Sequence, residues 1–218
     1  MLQNMITYYS HIIWDWNGTL LNDVSICSEI INGILAKRSL KPLSISDYKN
    51  IFTFPVKNYY EKAGLDFSLY PFEELGQEWM IEYEKLKFST SLYPDTLEVL
   101  DFISNAEISQ SILSAYSHHT LVEIVKHFKV DKYFMHLAGL NNIYAASKID
   151  LGKDLMKKLR IDFKNILLIG DTIHDYEVAK EIGADCLLIS NGHQTRERLL
   201  TCGVPVLDSI SQIMNWSR

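Results

Sequence analysis

Two apolar, β-branched runs constrain this chain more than anything else in it, because each stops abruptly at a carboxylate. His11-Ile12-Ile13-Trp14 ends at Asp15, and Ile166-Leu167-Leu168-Ile169 passes through Gly170 to Asp171. An unbroken apolar run of this length suits a strand buried on both faces, as in a parallel sheet covered by helices. Open sheets of that kind bind ligands beyond the carboxyl ends of their strands. Two acids delivered to one such edge make a site for a hard divalent cation.

The rest of the chain supplies the rhythm such a sheet needs. From about Gln110 onward, apolar strands alternate with amphipathic helices. Ser111-Ile112-Leu113 reads as a strand and Thr120–Phe128 as a helix. A short strand over Met135–Leu140 and a helix over Ile149–Leu159 come next. Asn165–Ile169 is the clearest strand, and Tyr176–Ile182 a helix closed by Gly183. Cys186–Ser190 and Val204–Leu207 complete the series. Alternation of this kind predicts an α/β fold with a Rossmann-like, doubly wound parallel sheet.

Between Asn22 and about Ser91 the pattern changes. Ile26, Ile30-Ile31 and Ile34-Leu35 recur at helical spacing, as do Leu75, Trp79, Tyr83 and Leu86, and no convincing strand interrupts them. The sequence therefore predicts a core of residues 1–20 and 92–218 carrying a small helical insertion at 21–91. Trp79, Tyr83 and Leu86 read as the insertion's own core. A chain of 218 residues is long enough for this arrangement. Its net charge of −6 argues against a general nucleic-acid binder and gives no long-range pull on an anionic substrate. Cys27, Cys186 and Cys202 have no metal-type spacing, and an odd count suits reduced thiols. With no secretory pattern at the start and no long apolar run, the expectation is a cytoplasmic protein without a membrane partner.

Residues 15–20, Asp-Trp-Asn-Gly-Thr-Leu, bring in a more specific signal. They resemble the first motif of the haloacid dehalogenase superfamily, Asp-x-Asp-Gly-Thr, with Asn17 in the place of the second Asp. Ser114 matches the Ser/Thr of the second motif, and Lys148 the lysine of the third, with Lys153 also compatible with the spacing. Gly170-Asp171-Thr172-Ile173-His174-Asp175 matches the acidic fourth motif. The helical insertion lies where that family carries its helical cap, as in its phosphoglycolate phosphatase branch.

The resemblance implies a phosphatase that takes a small phosphorylated metabolite and uses Mg²⁺. Asp15 would be the nucleophile, forming an aspartyl-phosphate that splits one displacement into two. Asp15 and Asp171 would hold the metal through side-chain oxygens and Asn17 through its backbone carbonyl, with Asp175 facing the same site. Ser114 and Lys148 would orient the phosphoryl oxygens, and Gly18 would join them in binding substrate. His118, His119 and Gly192-His193 lie near these motifs and also read as ordinary surface or loop residues.

Asn17 is the departure from the pattern. In the family the second Asp protonates the leaving oxygen and then deprotonates water; an amide can do neither. That lowers a mutase reading, and retention of Asp171 and Asp175 speaks against a metal-free dehalogenase. Two alternatives to a phosphatase stay open at the level of sequence. One is C–P hydrolysis like that of phosphonoacetaldehyde hydrolase, with Lys57 as Schiff-base lysine. The other is a non-catalytic relative that binds a phosphorylated ligand.

Overall fold

The computed structural model describes residues 4–140, 148–162 and 165–217. Its six-stranded parallel sheet has β1 (His11–Trp14) at the centre, flanked by β4 (Ser109–Ser117) and β6 (Ile166–Gly170). Outside these lie β5 (His136–Leu140) beyond β4, and β7 (Asp185–Ile189) then β8 (Val206–Leu207) beyond β6. The strand order, β5-β4-β1-β6-β7-β8, reverses direction around β1. That is the doubly wound arrangement the sequence predicts.

Alternate side chains of the central strands feed two apolar layers, as the two-residue period of a strand requires. Ile12, Trp14, Ile112, Leu167 and Ile169 pack against α5 (Thr96–Asn105) and α6 (His118–His127). Ile13, Leu113, Ile166 and Leu168 pack against α7 (Lys148–Leu159) and α8 (Ile173–Ile182). The β4 strand is longer than the expected Ser111–Leu113 because a polar residue is accommodated inside it. Gln110 is buried, accepts from the Trp14 indole N–H at 2.9 Å and donates to the Leu100 carbonyl at 3.1 Å. Likewise α8 starts at Ile173, ahead of the expected Tyr176, because Thr172 and Asp175 form a capping box. Gly183 closes that helix in the left-handed conformation (φ 77°), as expected.

The insertion consists of α1 (Val24–Ala36), α2 (Ile45–Ile51), α3 (Val56–Lys62) and α4 (Phe72–Leu86). One correction is needed at its ends. Two short strands, β2 (Leu21–Asn22) and β3 (Ser91–Leu92), pair antiparallel there, with Leu21 opposite Leu92. Two residues are too few for the alternation that reveals a strand in a sequence. The chain thus leaves and re-enters the sheet region through adjoining strands, directly after β1. Buried Trp16, Leu20 and Leu21 continue the apolar layer of the sheet into α1 and α4 without a break.

Candidate active site

The strand register brings the sequence motifs together. Trp14 pairs with Ile112 of β4 and Ile169 of β6, so the next residues on all three strands reach the carboxyl edge at one level. Asp15 follows β1, Asp171 follows β6, and Ser114 lies near the end of β4; all three are buried. Lys148, the first residue of α7, is buried beside them and hydrogen-bonds Asp15 Oδ1 and, at 2.6 Å, Asp175 Oδ1. Lys153 is exposed and pairs with Glu181, so of the two lysines compatible with the third motif it is Lys148 that reaches Asp15. Ala146 and Ser147, which precede it, lie outside the described residues.

Asp175 has two tasks. Its Oδ2 accepts from the backbone N–H groups of Asp171 and Thr172 and from the Thr172 hydroxyl, which fixes the start of α8. Its Oδ1 is taken by Lys148. Helix capping and site-building are carried by different oxygens of one carboxylate. Asp171 accepts from the Thr19 hydroxyl at 3.0 Å and the His193 backbone N–H at 2.6 Å. Glycine is required on both sides of it. A Cβ on Gly192 would stand 2.1 Å from Asp171 Oδ2, and one on Gly18 would stand 2.5 Å from the same oxygen, where φ is also +77°. The Gly18 N–H donates within the loop, to Leu21 O and Asp23 Oδ1.

Three carboxylates and one ammonium leave this pocket short of positive charge. Burial, then repulsion from Asp175 and Asp171, pushes Asp15 up to about 8 against the pull of Lys148. Burial and Asp175 raise Asp171 to about 6, although His193 opposes them. Burial also works against ionised Asp175, but Lys148 and Thr172 outweigh it and hold that carboxyl below its usual range. Lys148 itself is pushed up: burial disfavours its charge, and Asp15 and Asp175 more than compensate. Side-chain oxygens of Asp15, Asp171 and Asp175 lie within 4.8 Å of one another. Hard oxygen donors, buried, close and mutually repelling, suit a divalent cation such as Mg²⁺.

A second buried cluster adjoins the first, and the sequence reading missed most of it. Asn17 donates through Nδ2 to Asp23 Oδ2 (2.8 Å) and to the Tyr83 hydroxyl (2.7 Å), which itself donates to Asp23 Oδ2. His193 Nε2 lies 3.2 Å from Asp23 Oδ1, and its Nδ1 lies 2.8 Å from the Tyr48 hydroxyl. Burial pulls the His193 imidazole down, yet Asp23 and more distant acids raise it above its ordinary value. Burial likewise penalises ionised Asp23, but His193, Asn17 and Tyr83 hold it below the usual carboxylate range. Asp23 looks like an ordinary helix-start residue in the sequence. Only its nearness to Asp15 along the chain hints otherwise.

Above both clusters lies a cavity of about 320 Å³. Tyr48, Phe52, Phe54, Tyr59, Phe72 and Trp79 of the insertion line it, while Asp15, Ser114, Lys148 and Asp171 belong to its floor. Trp79 and Tyr83 also line the cavity, in addition to packing in the insertion's apolar cluster as expected. The helical spacing holds, since the stripe packs in that cluster. His118 and His119 are exposed and do not line it, so they are surface residues. Lys57 is exposed too, with Nζ 5.2 Å from the centre of the Phe67 ring, and does not line the cavity. Among the described residues, no helix is long and apolar enough to cross a membrane.

The model of the haloacid dehalogenase-like hydrolase family matches residues 12–189, from β1 through β7. The chain belongs to that family. Solved structures of similar fold include a haloacid dehalogenase-like hydrolase from Streptococcus pneumoniae, 18% identical with a TM-score of 0.81 over 96% of this chain and 98% of that one. A predicted phosphatase from Clostridium acetobutylicum shares 18% identity and a TM-score of 0.81, covering 95% of this chain and 97% of its own. For a predicted phosphoglycolate phosphatase from Haemophilus somnus the values are 18%, 0.76, 95% and 97%. At such identities the likeness speaks for the fold. No curated protein matches the sequence. Within this family of hydrolases, the acid cluster, Lys148 and Ser114 stand at the sheet edge where ligands of such folds bind.

Proposed function

We propose that this hydrolase is a Mg²⁺-dependent phosphatase that cleaves a small phosphomonoester through an aspartyl-phosphate on Asp15. The single observation that carries the reading is Asp15 itself, buried at the cavity floor with Lys148 on one side and Asp171 on the other. An Asp15 oxygen attacks phosphorus, the bond to the leaving oxygen breaks, and that oxygen departs with the electron pair. Water then cleaves the acyl phosphate, releasing inorganic phosphate and restoring the carboxylate. Lys148 neutralises the transferring phosphoryl group and, through Asp175, is held in place for it. The Ser114 hydroxyl accepts from the Tyr116 N–H at 3.1 Å, which leaves its own hydrogen for a phosphoryl oxygen.

Asp15 and Asp171 would hold Mg²⁺ with the Asn17 carbonyl, and Asp175, beside them, orients Lys148. When bound, the cation supplies Lewis-acid stabilisation of phosphoryl charge. The insertion, residues 21–91, acts as a cap that excludes water from this chemistry. A small phosphorylated metabolite is the expected partner, with neither nucleic acid nor membrane involved, and the phosphoglycolate-like ester suggested by the sequence is one member of that class. Free Cys27, Cys186 and Cys202 support a cytoplasmic setting.

Asp15→Asn tests the reading. The amide is isosteric and a poor nucleophile, so turnover of p-nitrophenyl phosphate with Mg²⁺ should drop by roughly four orders of magnitude or more. Wild-type-like turnover in a folded variant removes Asp15 from the mechanism.

A further inference from the structure

Three observations narrow the ligand beyond a small phosphate ester. The first is the wall of the cavity, which Tyr48, Phe52, Tyr59, Phe72, Trp79 and Met80 make almost wholly apolar and aromatic. Walls of this kind recognise flat apolar groups, and about 320 Å³ accommodates a ring beyond a phosphoryl group.

The second is a shortage of cations. Lys148 and His193 are the only Lys, Arg or His among the described residues that line the cavity. Lys148 is committed to Asp15 and Asp175, and His193 to Asp23 and Tyr48. Glu73 adds a negative charge to the lining. Residues 141–147, Asn-Asn-Ile-Tyr-Ala-Ala-Ser, contain no Lys, Arg or His. Among the described residues that line the cavity, a carboxylate or second phosphate on the ligand would find no uncommitted cationic side chain, and a charge without a counter-charge in an apolar cavity is costly.

The third is Asn17. Its amide hydrogens already go to Asp23 and Tyr83, and it has no proton to give to a departing oxygen. Such a site favours leaving groups stable as anions. A phenolic oxygen, with a pKa of about 10, meets that need far better than an alkyl alcohol.

We infer that the ligand of this site is an aryl phosphomonoester, its phosphate carried on a phenolic oxygen and its ring filling the aromatic cavity. The inference rests on the phosphatase reading for the reaction, but the ring recognition can be measured without turnover. In the reaction the Asp15–phosphorus bond forms as the bond from phosphorus to the aryl oxygen breaks. The phenolate leaves with the electron pair and takes its proton from solvent; water then hydrolyses the acyl phosphate.

The test pairs a binding measurement with a turnover panel, both on the full chain with Mg²⁺. Calorimetry compares three inert ligands: benzylphosphonate, methylphosphonate and 3-phosphonopropionate. Burying the ring should make benzylphosphonate bind roughly 10- to 100-fold more tightly than the other two. Phe72→Ala should reduce that ratio. Equal or tighter binding of 3-phosphonopropionate overturns the ligand class, whatever the protein hydrolyses. The turnover panel sets phenyl phosphate against benzyl phosphate and 2-phosphoglycolate, and phenyl phosphate should give the highest kcat/KM. Preference for 2-phosphoglycolate overturns the proposal and leaves the phosphatase standing. If no ester turns over while benzylphosphonate keeps its advantage, the phosphatase reading falls and the aryl ligand class survives.

Discussion

Asn17→Asp restores the carboxyl that the first motif normally carries, and the structure says what that carboxyl would meet. The Asn17 Nδ2 that becomes an oxygen lies 2.8 Å from Asp23 Oδ2. Two ionised oxygens at that distance repel by about 6 kcal/mol at an effective dielectric of about 20, equivalent to roughly four pKa units. The pair therefore keeps one proton between them near neutral pH, as carboxylates sharing a site do. A protonated group beside the leaving oxygen is what the native chain lacks. Turnover of an alkyl ester such as benzyl phosphate should rise roughly 10²- to 10⁴-fold, and that of an aryl ester much less. In the native protein, without a base to activate water, the acyl phosphate should accumulate and product should appear in a burst. Rapid-quench kinetics on both proteins measure this directly, and a pH profile adds a second check. The variant's advantage should shrink as pH rises and the shared proton is lost. Because the pair titrates higher when folded than unfolded, its contribution to stability is complete at low pH and disappears as pH rises through the shared pKa. The variant's Tm deficit should accordingly grow between pH 5 and pH 8. No burst in the native protein, together with unchanged or slower alkyl turnover in the variant, would refute the argument.

Asp171→Asn should raise the thermal stability of the metal-free protein at pH 8 and abolish its response to Mg²⁺. The folded carboxyl titrates at about 6, against 3.8 as the ordinary value, so its penalty is absent below about pH 4 and complete above pH 6. Relief is worth roughly 3 kcal/mol, and an Asn can still accept from the His193 N–H and donate to Thr19. A lower Tm than wild type in EDTA at pH 8 would count against the charge-crowding account. In the native protein, Mg²⁺ should bind more weakly as pH falls from 8 to 6, with protons released on binding, because raised Asp15 and Asp171 must ionise first; calorimetry in buffers of different ionisation enthalpy reads both, and pH-independent affinity would contradict it. Gly192→Ala forces a methyl to within 2.1 Å of Asp171 Oδ2. It should weaken Mg²⁺ binding at least roughly tenfold and cost about 1–3 kcal/mol of stability; unchanged affinity would show that this carboxylate does not hold the metal.

The sequence alone determined where the sheet delivers its chemistry. Buried parallel strands are short unbroken apolar runs, so their ends can be read directly, and Asp15, Asp171 and Ser114 stand where those runs stop. The choice of Lys148 over Lys153 could not be read that way. Both lie on one helix, Lys148 at its first residue and Lys153 in its middle, and only the position of α7 against β4 and β5 decides which ammonium reaches Asp15. The same holds for Asp23 and His193, far apart in the chain and joined only where the start of α1 meets the loop after β7. Helical spacing announced Trp79 and Tyr83 as one buried stripe but could not say what the stripe faced. A period reports which side of a helix avoids water. Whether that side meets other side chains or encloses space for a ligand depends on how the four helices of the insertion pack over the sheet edge, and that is settled only by tertiary structure.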